Sequence, residues 1–153
     1  MYIAIFSDLH GNPEVLQFLI DRVFTGVDQI WSLGDNFHIY DKGETSKSKA
    51  DQVIKTLSGY KTKPIDYIKG NCDEFEDYES FAENYATTPF VIKDIEGQKM
   101  LLTHGHQFSA ESDAITLLRE QGVSVLVYGH THLSELAIKD DLVFINPGSV
   151  TLP

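Results

Sequence analysis

The sequence predicts an α/β sandwich with mixed sheets. Two patterns carry that expectation. Apolar runs alternate with helical stretches in the first half, and hairpin signals dominate the second. A third observation concerns function: several apolar runs end directly in Asp, Asn or His, often just after a glycine.

Taken in order, Tyr2–Ser7 reads as a buried strand. Asn12-Pro13 gives an N-cap followed by proline at N1, opening a helix over 13–24 with an apolar stripe at Val15, Leu16, Leu19, Ile20 and Val23. Gln29–Leu33 is a second short strand. The polar stretch Asp41–Lys49 is expected to be a surface loop leading into a helix around 50–58. Ile65–Ile68 is a third strand, and Glu74–Asn84 mixes acids with aromatics and has no clear period. Thr87–Ile95 and Gln98–Thr103 flank Glu96-Gly97, a hairpin turn. Asp113–Gln121 is helical, its apolar residues Ile115, Leu117 and Leu118 belonging to the core, with Gly122 as C-cap. Ser124–Tyr128 is a strand, and Glu135–Lys139 and Leu142–Ile145 flank a turn at Asp140-Asp141.

The composition narrows the class of protein. At 153 residues the chain fits one domain and can bury a core without staples. A formal net charge of −11 disfavours a nucleic-acid duplex as partner, because phosphate backbones want a basic face. Cys72 is the sole cysteine, so no intrachain disulfide forms, which fits a reducing cytoplasm. The start, Met1 to Phe6, lacks a basic leader, and no apolar run approaches the ~20 residues of a membrane helix.

The chemistry sits in five short motifs. They are Asp8-Leu9-His10, Gly34-Asp35-Asn36, Gly70-Asn71-Cys72-Asp73, Thr103-His104-Gly105-His106 and Gly129-His130-Thr131-His132. Ligand sites in open α/β sheets form outside the carboxyl ends of strands, where these motifs fall. Asp8 and His10 are two apart, as are His130 and His132, so in extended backbone each pair would face one cluster. Carboxylate, imidazole and amide oxygen suit divalent first-row metals. Seven donors exceed what one tetrahedral zinc uses, and two ions could clamp a phosphoryl oxygen. Five of the six histidines fall within three of the motifs, although any one alone is more often an ordinary polar residue.

In this order and spacing, the motifs resemble the calcineurin-like metallophosphoesterase superfamily, whose pattern is D-x-H, G-D, G-N-[H/C]-[D/E], H-G and G-H-x-H. With G-N-C-D, G-H-T-H and the following Asn146-Pro147-Gly148-Ser149, the chain looks like the small YfcE-type phosphodiesterase branch. The resemblance spans residues 3–149 and implies a four-layer α/β/β/α sandwich. It implies that Asp8, His10 and His132 hold one metal ion and that Asn71, His104 and His130 hold a second, with Asp35 bridging. Manganese is the preferred ion, with iron, nickel, cobalt or zinc as alternatives. A metal-bridging hydroxide would then hydrolyse a P–O bond, with Asn71, Asp73 and His104 as candidate catalytic residues.

Cys72 stands where many relatives place a histidine credited with charge stabilisation or leaving-group protonation. Cysteine is the poorer acid-base group, which favours diesters over monoesters. Cys72, His106 and His38 are candidate substrate contacts, against plain readings as a structural thiol and locally bonded histidines. Asp73 is either a carboxylate supporting the site or part of a solvated acidic face over Asp73–Glu79; the second reading is preferred for the run as a whole. The Asn-Pro-Gly-Ser segment is explained by turn chemistry alone, or supports the metal loops. Arg22 and Arg119, the only arginines, fall in predicted helices away from the motifs, which disfavours a phosphoprotein substrate.

Alternatives to the diesterase are a phosphomonoesterase and a non-catalytic scaffold like the retromer subunit Vps29. The expected partner is a small phosphodiester, without a membrane, in a monomer, homodimer or larger oligomer. Relatives usually run on for another hairpin, so residues 1–153 form a single domain that is either a short variant or a truncated chain.

Overall fold

Among the described residues, sheet hydrogen bonding sorts nine strands into two sheets. The computed structural model describes residues 1–38 and 43–152. Strands β1 (Ile3–Phe6), β2 (Gln29–Ser32), β3 (Ile65–Tyr67) and β4 (Asn84–Tyr85) form a parallel sheet in that order. Strands β5 (Phe90–Ile95), β6 (Gln98–Thr103), β7 (Val125–Val127), β8 (Ser134–Lys139) and β9 (Leu142–Pro147) form the second, ordered β5-β6-β7-β9-β8. Its three central strands are parallel, and antiparallel hairpins close both edges. The hairpin turns use Glu96-Gly97 and Asp140-Asp141, all with positive φ, as tight two-residue turns require.

Three apolar clusters define four layers. Leu16, Leu19, Ala50, Val53 and Leu57 pack from helices onto Phe6, Ile30, Ile65 and Tyr67 of the first sheet. Trp31, Leu33, Ile68, Leu102, Val125 and Val127 fill the space between the sheets. Ala114 and Leu118 pack on Leu101, Leu126 and Phe144 at the outer face of the second sheet. The order is therefore α/β/β/α with mixed sheets.

Four α-helices are described: α1 (Pro13–Phe18), α2 (Glu44–Gly59), α3 (Phe75–Glu79) and α4 (Glu111–Gln121). Asn12 caps α1 by accepting from the Val15 N–H at 3.1 Å. The helix expected over 13–24 is α-helical only to Phe18. It widens to a π-helical stretch at Leu19–Val23 and closes with a 3-10 turn at Phe24–Gly26. Leu19 and Phe24 are both buried and five apart, a spacing that the wider π turn stacks on one side.

The loop expected at Asp41–Lys49 is corrected over most of its length. Residues 41 and 42 lie outside the described set, but α2 begins at Glu44. Ser46, Ala50, Val53 and Leu57 are buried while Glu44, Thr45, Lys47, Ser48 and Lys49 are exposed. The polar run is thus the solvent face of an amphipathic helix. The ambiguous stretch 74–84 contains α3 and opens β4. The strand expected from Thr87 starts only at Phe90, because Pro89 supplies no donor. Among the described residues, no helix is long and apolar enough to cross a membrane.

Candidate metal centre

Every motif sits just beyond the carboxyl end of β1, β2, β3, β6 or β7. Because the strands within each sheet that carry these loops run parallel, their ends share one edge. Backbone bonds then stitch the loops together: Asp8 N–H to Gly34 O at 3.0 Å, His10 N–H to Asp35 O at 2.9 Å, and Gly129 N–H to His104 O at 3.0 Å.

Two glycines permit the packing. A Cβ on Gly70 would lie 1.9 Å from Asp35 Oδ1, and one on Gly129 would lie 2.0 Å from Ser7 Oγ. Neither position tolerates a side chain without moving a neighbour.

The backbone conformation corrects the spacing argument. Asp8, His10, Asp35, His130 and His132 all adopt positive φ, between 47° and 69°, so the loops are left-handed rather than extended. Such strain concentrates at sites where surrounding contacts over-determine it. His130 and His132 consequently diverge. His132 joins Asp8 and His10, whereas His130 joins Asp35 and His104. Asp35 also stands within reach of His10 and Cys72, so it lies between the two groups.

The donors face one another closely. His10 Nε2 lies 3.1 Å from His132 Nε2, and Asp8 Oδ1 is 3.3 Å from His132 Nε2 and 3.7 Å from His10 Nε2. His104 Nε2 lies 3.2 Å from Asp35 Oδ2 and 3.0 Å from Asn71 Oδ1. Two carbonyls set the histidine orientations: His10 Nδ1–H donates to His38 O at 2.8 Å, and His104 Nδ1–H to Leu33 O at 2.7 Å. Each therefore turns its Nε2 toward the cluster, as metal-ligating imidazoles do. Asp8 Oδ1 is buried with no hydrogen-bond donor, while its Oδ2 accepts from the His130 N–H at 3.1 Å. A buried carboxylate oxygen left so, beside two imidazole nitrogens, fits a cation. The donor set thus forms a plausible dinuclear metal site.

Electrostatics agree. Burial would raise Asp35, but His104 and the Cys72 N–H at 2.8 Å outweigh it and hold the carboxyl at about 2. Burial would lower His104, but Asp35 beside it holds the imidazole above its ordinary value. A proton and a metal ion therefore compete for the same nitrogen. Burial, then repulsion from His104, lowers His130 and His106. Burial and then Asp35 push the Cys72 thiol up to about 12.

The remaining candidates fall in different places. Asn71 and His106 are exposed at the mouth, with the His106 ring centroid 5.6 Å from His104 and 6.3 Å from His130. The His38 imidazole pairs with Asp77 at 3.2 Å, and its carbonyl is what touches the centre. Asp73 is not solvated: it is fully buried and accepts from the Asn36, Phe37 and Gly70 N–H groups and, at 2.5 Å, from the Tyr78 hydroxyl. It ties the Asp35 loop to the Asn71 loop. Asn146 donates to Gly129 O at 3.0 Å, and Ser149 Oγ to Asp8 O at 2.8 Å, so the Asn-Pro-Gly-Ser segment braces two metal loops.

Sequence reasoning missed Tyr78, Ser7, Lys69 and the two orienting carbonyls. Carbonyls leave no residue signal. Tyr78 stood within an acidic run, and its five-residue separation from Asp73 was the available clue. Lys69 Nζ donates to Gly70 O at 3.1 Å and sits 5.3 Å from the Phe75 ring centroid.

A family model for the calcineurin-like phosphoesterase superfamily domain matches residues 1–153. The chain belongs to that superfamily. It is 28% identical over 148 residues to phosphodiesterase YfcE of Escherichia coli K12, covering 96% of this chain and 78% of that one. The solved YfcE structure superposes with a TM-score of 0.72, covering 98% of this chain and 80% of the other. A probable metallophosphoesterase of Methanothermobacter thermautotrophicus is 30% identical over 155 residues, covering 100% of this chain and 79% of the relative. Zinc-complexed Vps29 of Entamoeba histolytica, at 22% identity and a TM-score of 0.64, covers 97% of this chain and 74% of its own and shares the fold. Family membership and the donor set together support a metal-dependent phosphoester hydrolase.

Proposed function

We propose that this chain is a cytoplasmic phosphodiesterase using two divalent ions, manganese for preference. The observation that carries the reading is the pair of donor groups meeting at Asp35. Asp8, His10 and His132 would hold one ion, and Asn71, His104 and His130 the other, with Asp35 between them. When bound, the ions supply Lewis acidity toward a phosphoryl oxygen and lower the pKa of a water.

The protein residues fix everything else. The His38 and Leu33 carbonyls aim two imidazoles, Asp73 locks two loops together, and Asn71 and His106 stand where substrate enters. The preference for a diester rests on which groups are present. Cys72 is a poor proton donor in the position beside Asn71. Arg119 is bound to Asp141 at 2.8 Å on the surface, and Arg22 is exposed in the first helical stretch. Among the described residues no guanidinium reaches the centre, so a monoester dianion lacks the added cationic support that a singly charged diester does not need.

Manganese-loaded protein is expected to hydrolyse bis(p-nitrophenyl) phosphate with a higher kcat/KM than p-nitrophenyl phosphate. Asp35→Ala and His130→Ala should each abolish turnover, and Cys72→His should shift the ratio toward the monoester. Absence of turnover with manganese, cobalt, nickel and zinc across the pH range would overturn the proposal.

A further inference from the structure

Beside His130 lies a cavity of about 240 Å³ that the metal chemistry leaves unused. His130 and Gly105 are among its lining residues, so it adjoins the metal centre. Its walls are Phe108, Tyr128 and Phe144 with Ala110, the residue that precedes α4, and Ala114 of α4. Two other cavities, of about 340 and 350 Å³, lie around β3 and β4 and touch none of the candidate metal ligands.

The walls favour one kind of occupant. Phe108 and Tyr128 are half-buried and pack on the Leu126–Phe144 cluster. The Tyr128 hydroxyl is tied to Glu135, which fixes its ring. No lysine or arginine is among the lining residues. The one lining carboxylate, Glu111, is bound to Lys139 at 2.5 Å, and Lys139 also holds Glu135 at 2.9 Å. The nearby ammonium of Lys139, 5.1 Å from the Phe144 ring centroid, is already held by Glu111 and Glu135, so a second phosphate would find no unpaired lysine there, whereas an uncharged ring would meet aromatic walls. A cavity of 150 Å³ is known to accept benzene, so one of about 240 Å³ has room for an aromatic group. Gly105, at φ +102°, keeps the entrance clear: a Cβ there would lie 3.3 Å from Tyr128 Cδ2.

We infer that this cavity seats one ester arm of the substrate and selects an uncharged aromatic group. The inference rests on the phosphoesterase reading and narrows its substrate class to phosphodiesters carrying such an arm.

Phosphonates test it, because each has one anionic head and one arm. Titration of manganese-loaded protein, by calorimetry and as competitive inhibition, should give phenylphosphonate roughly 10- to 100-fold tighter binding than methylphosphonate. Ala110→Phe, placed on an exposed lining residue, should reduce the phenyl-to-methyl ratio toward one, and Phe108→Leu should lower it in part. Equal binding of phenyl- and methylphosphonate to the wild type, or an unchanged ratio in Ala110→Phe, would overturn the cavity assignment while leaving the phosphoesterase reading intact. If neither phosphonate binds and no diester is cleaved, the reading of the centre itself fails and this inference falls with it.

Discussion

Replacing Gly70 with alanine should disable the centre without unfolding the protein. The new Cβ would stand 1.9 Å from Asp35 Oδ1, 2.3 Å from Asp35 N and 2.7 Å from its Cγ. Ordinary contact needs ~3.4 Å or more, so a shift of more than an ångström is forced on one partner. Asp35 cannot simply rotate away, because it is buried at positive φ and its Oδ1 holds the Cys72 N–H at 2.8 Å. A misplacement of ~1 Å at a reacting centre costs on the order of 100-fold in rate. Overpacking of this kind costs ~1–3 kcal/mol of stability. The assay is manganese-dependent hydrolysis of bis(p-nitrophenyl) phosphate, with urea unfolding alongside. Gly26→Ala is the control, since a Cβ there meets nothing within 4 Å. A Gly70→Ala protein with kcat/KM within about threefold of wild type would refute the claim that Asp35 is held in place by this contact.

Three further outcomes follow from the buried carboxylates and the tyrosine bonded to one of them. In the metal-free protein the Asp35 carboxyl is depressed from 3.8 to about 2, so its stabilising contribution is present above pH ~4 and is lost as pH falls through about 2. Unfolding in EDTA should therefore show wild type losing up to ~2 kcal/mol more than Asp35→Asn between pH 5 and pH 2, and equal losses would contradict it. Asp73→Ala should destabilise by ~3–5 kcal/mol, because three backbone N–H groups and the Tyr78 hydroxyl lose their acceptor together. Tyr78→Phe, which removes the bond to Asp73 and the one the hydroxyl accepts from Asn36 Nδ2 at 3.0 Å, should cost ~1–3 kcal/mol by the same urea measurement.

The strand ends were the legible part of this molecule. Asp8, Asp35, Asn71, His104 and His130 each follow an apolar run, and that placement survives any small error in the strand boundaries. The hairpins were legible because Glu96-Gly97 and Asp140-Asp141 are residues that tolerate positive φ. Two kinds of information were not local. The start of α2 was obscured because its exposed face is as polar as a loop, and only the burial of Ser46 and Ala50 against the first sheet reveals it. The burial of Asp73 depends on Tyr78, Asn36 and Phe37 arriving from other segments, so an acidic run that looks solvated in one dimension hides a buried acceptor. The left-handed loops were invisible for a related reason: Asp and His enter positive φ more readily than most residues, but that tendency does not single out a position, and the strain is imposed by the stitching between loops.

The pairing of His10 with His132 has a topological consequence. They stand 122 residues apart with their nitrogens 3.1 Å from each other. An ion gripping both would fasten the first strand's loop to the last strands' loop, encircling nearly all of the chain. An ion held by the folded chain and released on unfolding stabilises the fold by mass action, by about 2.7 kcal/mol at a free concentration a hundred times its Kd. The cofactor would then act as a clasp as well as a reagent. Its withdrawal should loosen the termini and both sheets at once, making resistance to proteolysis a readout of loading that needs no substrate.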